Sequence, residues 1–382
     1  MPATPPPGAA TACTRCGCCL ESCPTYTLSG AELESPRGRI ALIEDALLGH
    51  SAITAAVAAH IDSCVGCLAC VTACPEGVPY SDLLAWARVA VERDVARPLR
   101  ERVRREAALA APTLNRRGAA WAHRGEPTHY TPAQGSQRGR VGLLPGCGRG
   151  GKREHALQAA TLRVLAAEGY EVVTPVLSGC CGITELQAGA RRRSLRHAQR
   201  TLDAFAAVGS LDHVISGAGA CGLALKQYGR LLATAQAIDF SARTLDIHEL
   251  LTRAPLRSRL GAVAIRAVLH DSCQLHHGQR ASGAVRDLLG RVPGLELVAL
   301  PATAGACCGA TGIYQVSAPL AAAALGRRQA EAVIDTGAQL VLSTDSGCLA
   351  TLTRHLRELG SAVAVRHPVE LLALSITGAA RA

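Results

Sequence analysis

The sequence predicts an α + α/β fold: a helical N-terminal domain followed by two copies of an α/β unit. Three observations carry that expectation. Two runs, CTRCGCCLESCP (Cys13 to Pro24) and CVGCLACVTACP (Cys64 to Pro75), share the spacing C-x2-C-x2-C-x3-C-P. Between them, helical periodicity fills the forty residues from Pro24 to Ser63. Beyond residue 140 a second set of cysteines recurs, with corresponding members 126 or 127 positions apart.

The two runs point to iron–sulfur ligation. Three thiolates spaced by two residues wrap one face of a cubane, the fourth turns toward a neighbouring cluster, and the proline ends the wrap. This rule assigns Cys13, Cys16, Cys19 and Cys74 to one 4Fe–4S cluster, and Cys64, Cys67, Cys70 and Cys23 to the other. A structural zinc site needs only two C-x2-C knuckles, so two full runs each closing on Cys-Pro weigh against zinc or a disulfide framework. Cys18, beside Cys19, reads as a bystander thiol.

A chain of 382 residues is long enough for two or three domains. Seventeen cysteines in a small secreted chain would suggest disulfides, but MPATPPPGAATAC lacks the basic region and apolar stretch of a secretory signal. The expected compartment is therefore the reducing cytoplasm, with metal-bound thiolates. No apolar run reaches the roughly 18 residues that would span a bilayer. The formal charge of +10 resides in arginine clusters such as RPLRERVRRE (Arg97–Glu106) and RRRSLRHAQR (Arg191–Arg200). Aromatics make up only 3% of the chain and do not interleave with these clusters, which argues against nucleic acid as a partner. Solvated helix faces with i,i+4 Glu–Arg pairs are the leading reading. Docking on an acidic partner or on anionic headgroups is the other.

In chain order, residues 1–10 are Pro/Ala-rich and read as a disordered tail. Residues 11–110 hold both cluster runs. Within ESPRGRIALIEDALLG, Ile40, Leu42, Ile43, Leu47 and Leu48 fall at helical spacing, with Ser35 and Pro36 as N-cap and first helical residue. AITAAVAAHID and PEGVPYSDLLAWARVAVERDVA continue the helical pattern. A small β-type ferredoxin leaves no room for two helices between its cluster runs, so the domain reads as an all-helical two-cluster ferredoxin. Residues 111–140, rich in Pro, Gly, Arg and Gln, read as a linker.

Residues 141–256 and 262–382 read as duplicated cysteine-rich α/β domains. The first carries Cys147, the Cys180–Cys181–Gly182 turn and Cys221; the second carries Cys273, the Cys307–Cys308–Gly309 turn and Cys348. The pair-to-last spacing is 40 in both copies, and DIHELL (Asp246–Leu251) echoes HPVELL (His367–Leu372). Each cysteine follows a short apolar run, and helical stretches lie between, as in a parallel sheet whose carboxyl strand ends converge on one crevice. The glycine after each pair is expected to let backbone approach an inorganic core. These eight cysteines suit one or two further iron–sulfur clusters. A redox dithiol, a zinc site and a partly relic module stay open beside that.

GAGACG (Gly217–Gly222), with Asp239 downstream, fits a dinucleotide fingerprint, but Cys221 occupies the loop and close packing explains the glycines better. His276 and His277 follow Cys273; ligation, proton shuttling, carboxylate binding and a solvent-facing role stay open. His248 and His367 read as structural.

On SPRGRIALI, CPEGVPYSDLL, HDSCQLHHGQ, CCGATGIY and HPVELL, together with the two cysteine runs, nearly the whole chain resembles the iron–sulfur subunits of bacterial glycolate oxidase (glycolate dehydrogenase). The resemblance implies an electron-transfer subunit with two 4Fe–4S clusters, held by Cys13, Cys16, Cys19, Cys23, Cys64, Cys67, Cys70 and Cys74. It implies FAD-linked oxidase subunits as partners, with FAD on those chains, and a quinone or other respiratory acceptor downstream. Glycolate is oxidised to glyoxylate on a partner, so no catalytic acid or base is expected here. The implied location is cytoplasmic, with peripheral contact on the inner face of the membrane. The duplicated units are similar to the cysteine-rich (CCG) domain of heterodisulfide reductase, which ends in C-x2-C, whereas Cys221 and Cys348 stand without that second cysteine. Subunits of lactate and anaerobic glycerol-3-phosphate dehydrogenases share these parts. Alternatives are therefore a subunit of those complexes, a thiol–disulfide reductase acting at the duplicated crevice, or a redox sensor.

Overall fold

The computed structural model describes residues 5–122, 128–146, 152–175, 179–305 and 307–379. The N-terminal part is built from α1 (Pro24–Ser29), α2 (Pro36–Leu47), α3 (Ala55–Asp62), α4 (Ala69–Thr72), α5 (Tyr80–Asp94) and α6 (Leu99–Ala122). Local chemistry starts these helices where the sequence indicates. Ser35 caps α2 by accepting from Gly38 N at 3.0 Å, with Pro36 first in the helix, and Thr54 caps α3. Ile40, Ile43, Ile61, Leu83, Leu84 and Val91 form one core with Cys64 and Cys70. Each such side chain contributes about 1.5–3 kcal/mol on burial, so the sulfurs sit in the stable centre of this domain.

Two expectations are corrected here. Ala9 and Ala10 are buried in that same core, so residues 5–10 form ordered turns; residues 1–4 lie outside the described set. The stretch 111–140 is not a linker where it is described, because α6 runs through to Ala122 and β1 (Thr128–Thr131) pairs antiparallel with β3 (Tyr170–Pro175). Pro112 and Gly118 read as breakers, but α6 is anchored ahead of them. Leu109 packs with Ala188 and Ile313, and Arg105 donates to Ala188 O at 3.1 Å. Tertiary contact overrides a weak local preference.

The first α/β unit continues with β2 (Gly139–Leu144), α7 (Lys152–Ala167), β3, α8 (Ile183–Gln187), α9 (Arg191–Ala206), β4 (His213–Ser216), α10 (Gly219–Leu232), α11 (Ala235–Ala242), β5 (Thr244–Asp246) and α12 (Ile247–Thr252). The second contains β6 (Ile265–His270), a π-helical turn Gln274–Gln279, α13 (Ser282–Leu289), β7 (Leu295–Val298), α14 (Tyr314–Ser317), α15 (Pro319–Asp335), β8 (Leu340–Ser343), α16 (Ser346–Glu358), β9 (Ala364–Arg366) and α17 (Pro368–Ala379). Strand orders are β1-β3-β2-β4-β5 and β7-β6-β8-β9, parallel throughout except for β1. Apart from β1 the two sheets have the same order, which is the duplication seen in three dimensions.

The echoed DIHELL and HPVELL segments are matching helix starts. Asp246 and Glu249 form a capping box on α12. On α17, His367 Nδ1 accepts from Val369 N at 3.1 Å while Glu370 accepts from His367 N at 2.8 Å. The His248 and His367 rings stack 5.6 Å apart, and His367 Nε2 lies 2.8 Å from Gly217 O of the first unit. Both histidines are structural, tying one repeat to the other.

Burial, together with the neighbouring His248, holds His367 down to about 3. Its ordinary value near 6.5 applies in the unfolded chain, so the unfolded state takes up this proton first as pH falls. The stabilising contribution is complete above about pH 6.5 and declines toward pH 3, by at most about 1.4 kcal/mol per pH unit. His367→Asn, which keeps a capping acceptor, is expected to flatten the fall in melting temperature between pH 7.5 and 5. Parallel curves for the two proteins would contradict this.

Gly38 lies inside α2, where a Cβ would sit 2.1 Å from the Glu32 carbonyl oxygen. Gly38→Ala is therefore expected to destabilise by about 1–3 kcal/mol through overpacking, despite a propensity gain of up to about 1 kcal/mol. A raised denaturation midpoint would show that the turn Glu32–Glu34 yields freely.

Candidate metal centres

The two cysteine runs wrap in the same way. Arg15 (φ 58°) and Gly17 (φ 87°) in the first correspond to Gly66 (φ 73°) and Leu68 (φ 66°) in the second. Each wrap thus turns on two left-handed residues between its first and third cysteine. Arg15 and Leu68 adopt a conformation that costs a non-glycine residue about 1–2 kcal/mol, and such strain persists where surrounding structure demands it.

Cys13, Cys16, Cys19 and Cys74 line one cavity, which Cys18 and Cys70 also border. Cys74 therefore stands with the first run although it belongs to the second. Cys23 is not among the residues lining that cavity. Its Sγ lies 3.3 Å from Thr25 Oγ1 in the buried pocket of Arg39, whose charge also faces Cys64. Burial pushes the Cys19 thiol up to about 11. Burial also pushes the Cys70 thiol well above its ordinary value, reinforced by Cys64, Cys23 and Cys19 around it. Converging buried sulfurs that oppose one another's ionisation are the donor set a soft cation relieves, since a coordinating thiol is deprotonated outright. The residues present fit iron–sulfur clusters.

Cys64, although buried, is shifted the other way from Cys70, and the reason is electrostatic. Burial raises it, but the Arg39 and Arg88 guanidiniums and the Tyr80 hydroxyl, 3.4 Å from its sulfur, hold it below the ordinary thiol range. Arg88 also donates to Cys64 O at 2.6 Å.

The cysteine pairs of the duplicated units lie in loops beyond the carboxyl ends of β3 and β7, while Cys221 and Cys348 sit in the first turns of α10 and α16. Cys147 lies outside the described residues. Cys181 Sγ is 3.4 Å from Cys221 Sγ, and Cys273 Sγ is 3.7 Å from Cys307 Sγ. Gly182 N donates to Cys180 Sγ at 3.5 Å and Gly309 N to Cys307 Sγ at 3.4 Å, the same bond in both copies. The glycines have a packing role as well. Both have positive φ, and an added Cβ would press on Ser194 and His197 of α9 or on Ala322 of α15. Helix packing and the left-handed turn require them.

Beyond the cysteines expected from sequence, His270 joins Cys308 and Cys348, with donor atoms all within 4.8 Å and all buried. Sequence reading missed it, although it ends the strand in RAVLHDSC, three residues before Cys273. His276 and His277 line a cavity with Glu21, Asp271 and Arg286, which His270 also borders. Burial and the adjacent His276 push His277 down to about 4, and its Nδ1 lies 2.9 Å from Thr72 Oγ1.

GAGACG has a packing role. A Cβ at Gly219 or Gly222 would meet Ser272 or Gln279 of the second unit, and Asp239 is exposed and paired with Arg243. In the first arginine cluster, Arg97 and Arg105 turn inward to Asp62, Glu92 and Glu101.

The two kinds of centre adjoin. Val65, Cys67 and Ala69 share a buried core with Cys273, Cys307 and Tyr314, and Gln274 Nε2 donates to Gly66 O at 2.9 Å. A cluster in the second wrap would therefore abut the second duplicated unit. None of the described helices is long and apolar enough to cross a membrane.

Comparison with known proteins agrees with this partition. Residues 9–78 match the 4Fe-4S dicluster domain family, and residues 141–226 and 267–353 each match the cysteine-rich domain family. The chain is 31% identical over 388 residues to the glycolate oxidase iron-sulfur subunit of Escherichia coli (strain K12), covering 94% of this chain and 93% of that one. It is 30% identical to the probable glycolate oxidase iron-sulfur subunit of Bacillus subtilis (strain 168), covering 94% and 92%. Lactate utilization protein A of Shouchella clausii is 28% identical over 218 residues, 56% of this chain and 90% of that one. Two thiol-lined wraps, a duplicated cysteine-rich module and full-length similarity converge: the chain belongs to the family of glycolate oxidase iron–sulfur subunits.

Proposed function

We propose that this chain is the electron-transfer subunit of a glycolate dehydrogenase complex, working while glycolate is oxidised to glyoxylate on FAD-bearing partner subunits. The observation that carries it is the continuity of sulfur donors from Cys13 and Cys16, through the second wrap, to Cys273 and Cys307. Clusters of the 4Fe–4S type supply one-electron transfer when bound. The chain's own residues hold and tune them. Cys13, Cys16, Cys19 and Cys74 hold one cluster, and Cys64, Cys67, Cys70 and Cys23 the other, within an all-helical ferredoxin domain. Arg39, Arg88 and the Tyr80 hydroxyl place positive charge and a hydrogen bond at the second set, which favours its reduced state. The cysteines of the duplicated module hold one or two further centres. A quinone or other respiratory acceptor lies downstream, reached from the cytoplasmic side of the membrane through peripheral contact.

Anaerobic purification with iron and sulfide counting, joined to EPR of the reduced protein, tests the assignment. Cys74→Ser is expected to remove the same signal as Cys13→Ser, and Cys23→Ser the same signal as Cys64→Ser. Pairing of Cys74 with Cys64 instead would overturn the crossed arrangement. Cys181→Ser and Cys308→Ser are expected to lower iron content and electron transfer in the assembled complex. Full retention of both by the two variants would remove the module from the pathway. Similarity to lactate utilization protein A supports lactate as a second reading, and turnover of the purified complex on glycolate against lactate decides between them.

A further inference from the structure

The last residue of β2 is Leu144 and the last residue of β6, its counterpart, is His270. Both face a serine across the sheet: Leu144 pairs with Ser216 and His270 with Ser343. The two repeats thus keep the strand, the register and the serine, and differ in placing an imidazole where the other places an aliphatic side chain. His270 is only 2% exposed, so it carries the desolvation cost of a buried polar ring that Leu144 avoids.

We propose that His270 is a nitrogen donor to a metal centre in the second cysteine-rich unit, beside Cys308 and Cys348, and that Leu144 leaves the first unit without a donor at the corresponding position. The inference rests on the reading above that this module holds metal. Ser343 Oγ lies 3.0 Å from His270 Nδ1, which occupies that nitrogen and leaves Nε2 for the sulfur side. A hydrogen bond on one ring nitrogen that orients the other is the usual support of a metal-bound imidazole. The donor atoms of His270, Cys308 and Cys348 lie within 4.8 Å of one another, and all three residues are buried. Cys307 is adjacent in sequence to Cys308 and 3.7 Å from Cys273, so four sulfurs and one nitrogen gather at the carboxyl edge of this sheet. A core histidine kept only for packing would need its Ser343 bond and nothing more. Here it meets two thiols, in a repeat that abuts Cys67.

The test uses the full chain, purified anaerobically. In wild-type protein carrying 15N only in histidine, pulsed EPR is expected to show a nitrogen coupling that changes with the label. His270→Ala is expected to lose that coupling, together with the metal beyond the about eight irons of two 4Fe–4S clusters. His270→Cys, which restores a donor, is expected to recover the metal without the coupling. The signals of the two N-terminal clusters report that each variant is folded. If the centre is zinc, loss of zinc from both His270→Ala and Cys308→Ser supports the same assignment, which concerns the donor and not the metal. If Cys308→Ser removes the metal while His270→Ala retains it, His270 is not a ligand and the metal reading of the module stands. If Cys308→Ser leaves the metal content unchanged, that reading fails and the proposal with it.

Discussion

Arg39→Ala is expected to destabilise the protein by about 3–5 kcal/mol and to release the iron of the second cluster. The side chain is fully buried and its guanidinium makes five hydrogen bonds. Nε donates to His60 O at 2.7 Å, Nη1 to Glu34 O and Thr25 Oγ1, and Nη2 to Glu34 Oε2 and Ser63 Oγ. Thr25 stands two residues after Cys23, and Ser63 stands immediately before Cys64. One planar group thus clamps the end of the first cysteine run to the start of the second. Removing it takes the guanidinium charge from the Glu34 carboxylate, which keeps its bonds with His60 and Ser63, and breaking such a buried pair costs about 3–5 kcal/mol. It also withdraws the positive charge beside Cys64 and Cys23. Arg39→Lys is expected to recover little, because a single ammonium cannot reproduce a planar fork. Urea denaturation followed by circular dichroism, with iron counting on the same samples, measures both effects. An Arg39→Ala protein with wild-type midpoint and iron content would show that the clamp is redundant.

Asp345→Ala is expected to cost about 2–4 kcal/mol, the sum of a lost helix cap and a buried N–H left without an acceptor. Asp345 Oδ1 accepts from Gly347 N at 2.9 Å, capping α16, while Oδ2 accepts from Ala220 N at 3.0 Å in the first turn of α10. One carboxylate in the second repeat therefore orders the helix starts that carry Cys348 and Cys221. Gly219 N donating to Thr344 O at 3.1 Å and Gln279 donating to Gly219 O at 2.7 Å complete the seam. The distinguishing readout is domain coupling. The wild-type repeats should unfold in one transition, and Asp345→Ala should separate them or lower the midpoint of both. Loss confined to α16 would mean that the contact with Ala220 contributes nothing.

Much of this was legible in the sequence because it is local or periodic. Thiolate spacing encodes how a short segment wraps a cluster. Apolar periodicity and Ser35–Pro36 encode α2, and the 126- or 127-residue offset encodes two like units. The errors arose where a local signal was outvoted. Pro112 and Gly118 suggested a linker, yet α6 was already held at Leu109 and Arg105. Ala9 and Ala10 lie in a Pro/Ala-rich stretch but fill a gap in a core made by α2, α3 and α5.

By itself the sequence determined the two matching cysteine runs, the helical character of the segment between them and the duplication of the α/β unit. Each of these follows from spacing along the chain, which survives without knowledge of neighbours. Only the tertiary structure decided that Arg39 joins the two runs, that the second wrap abuts the second repeat, and that His270 stands with Cys308 and Cys348. Those facts depend on groups 14 to more than 200 residues apart meeting in space. No periodicity encodes such meetings, because burial and charge select them only once the layers have packed.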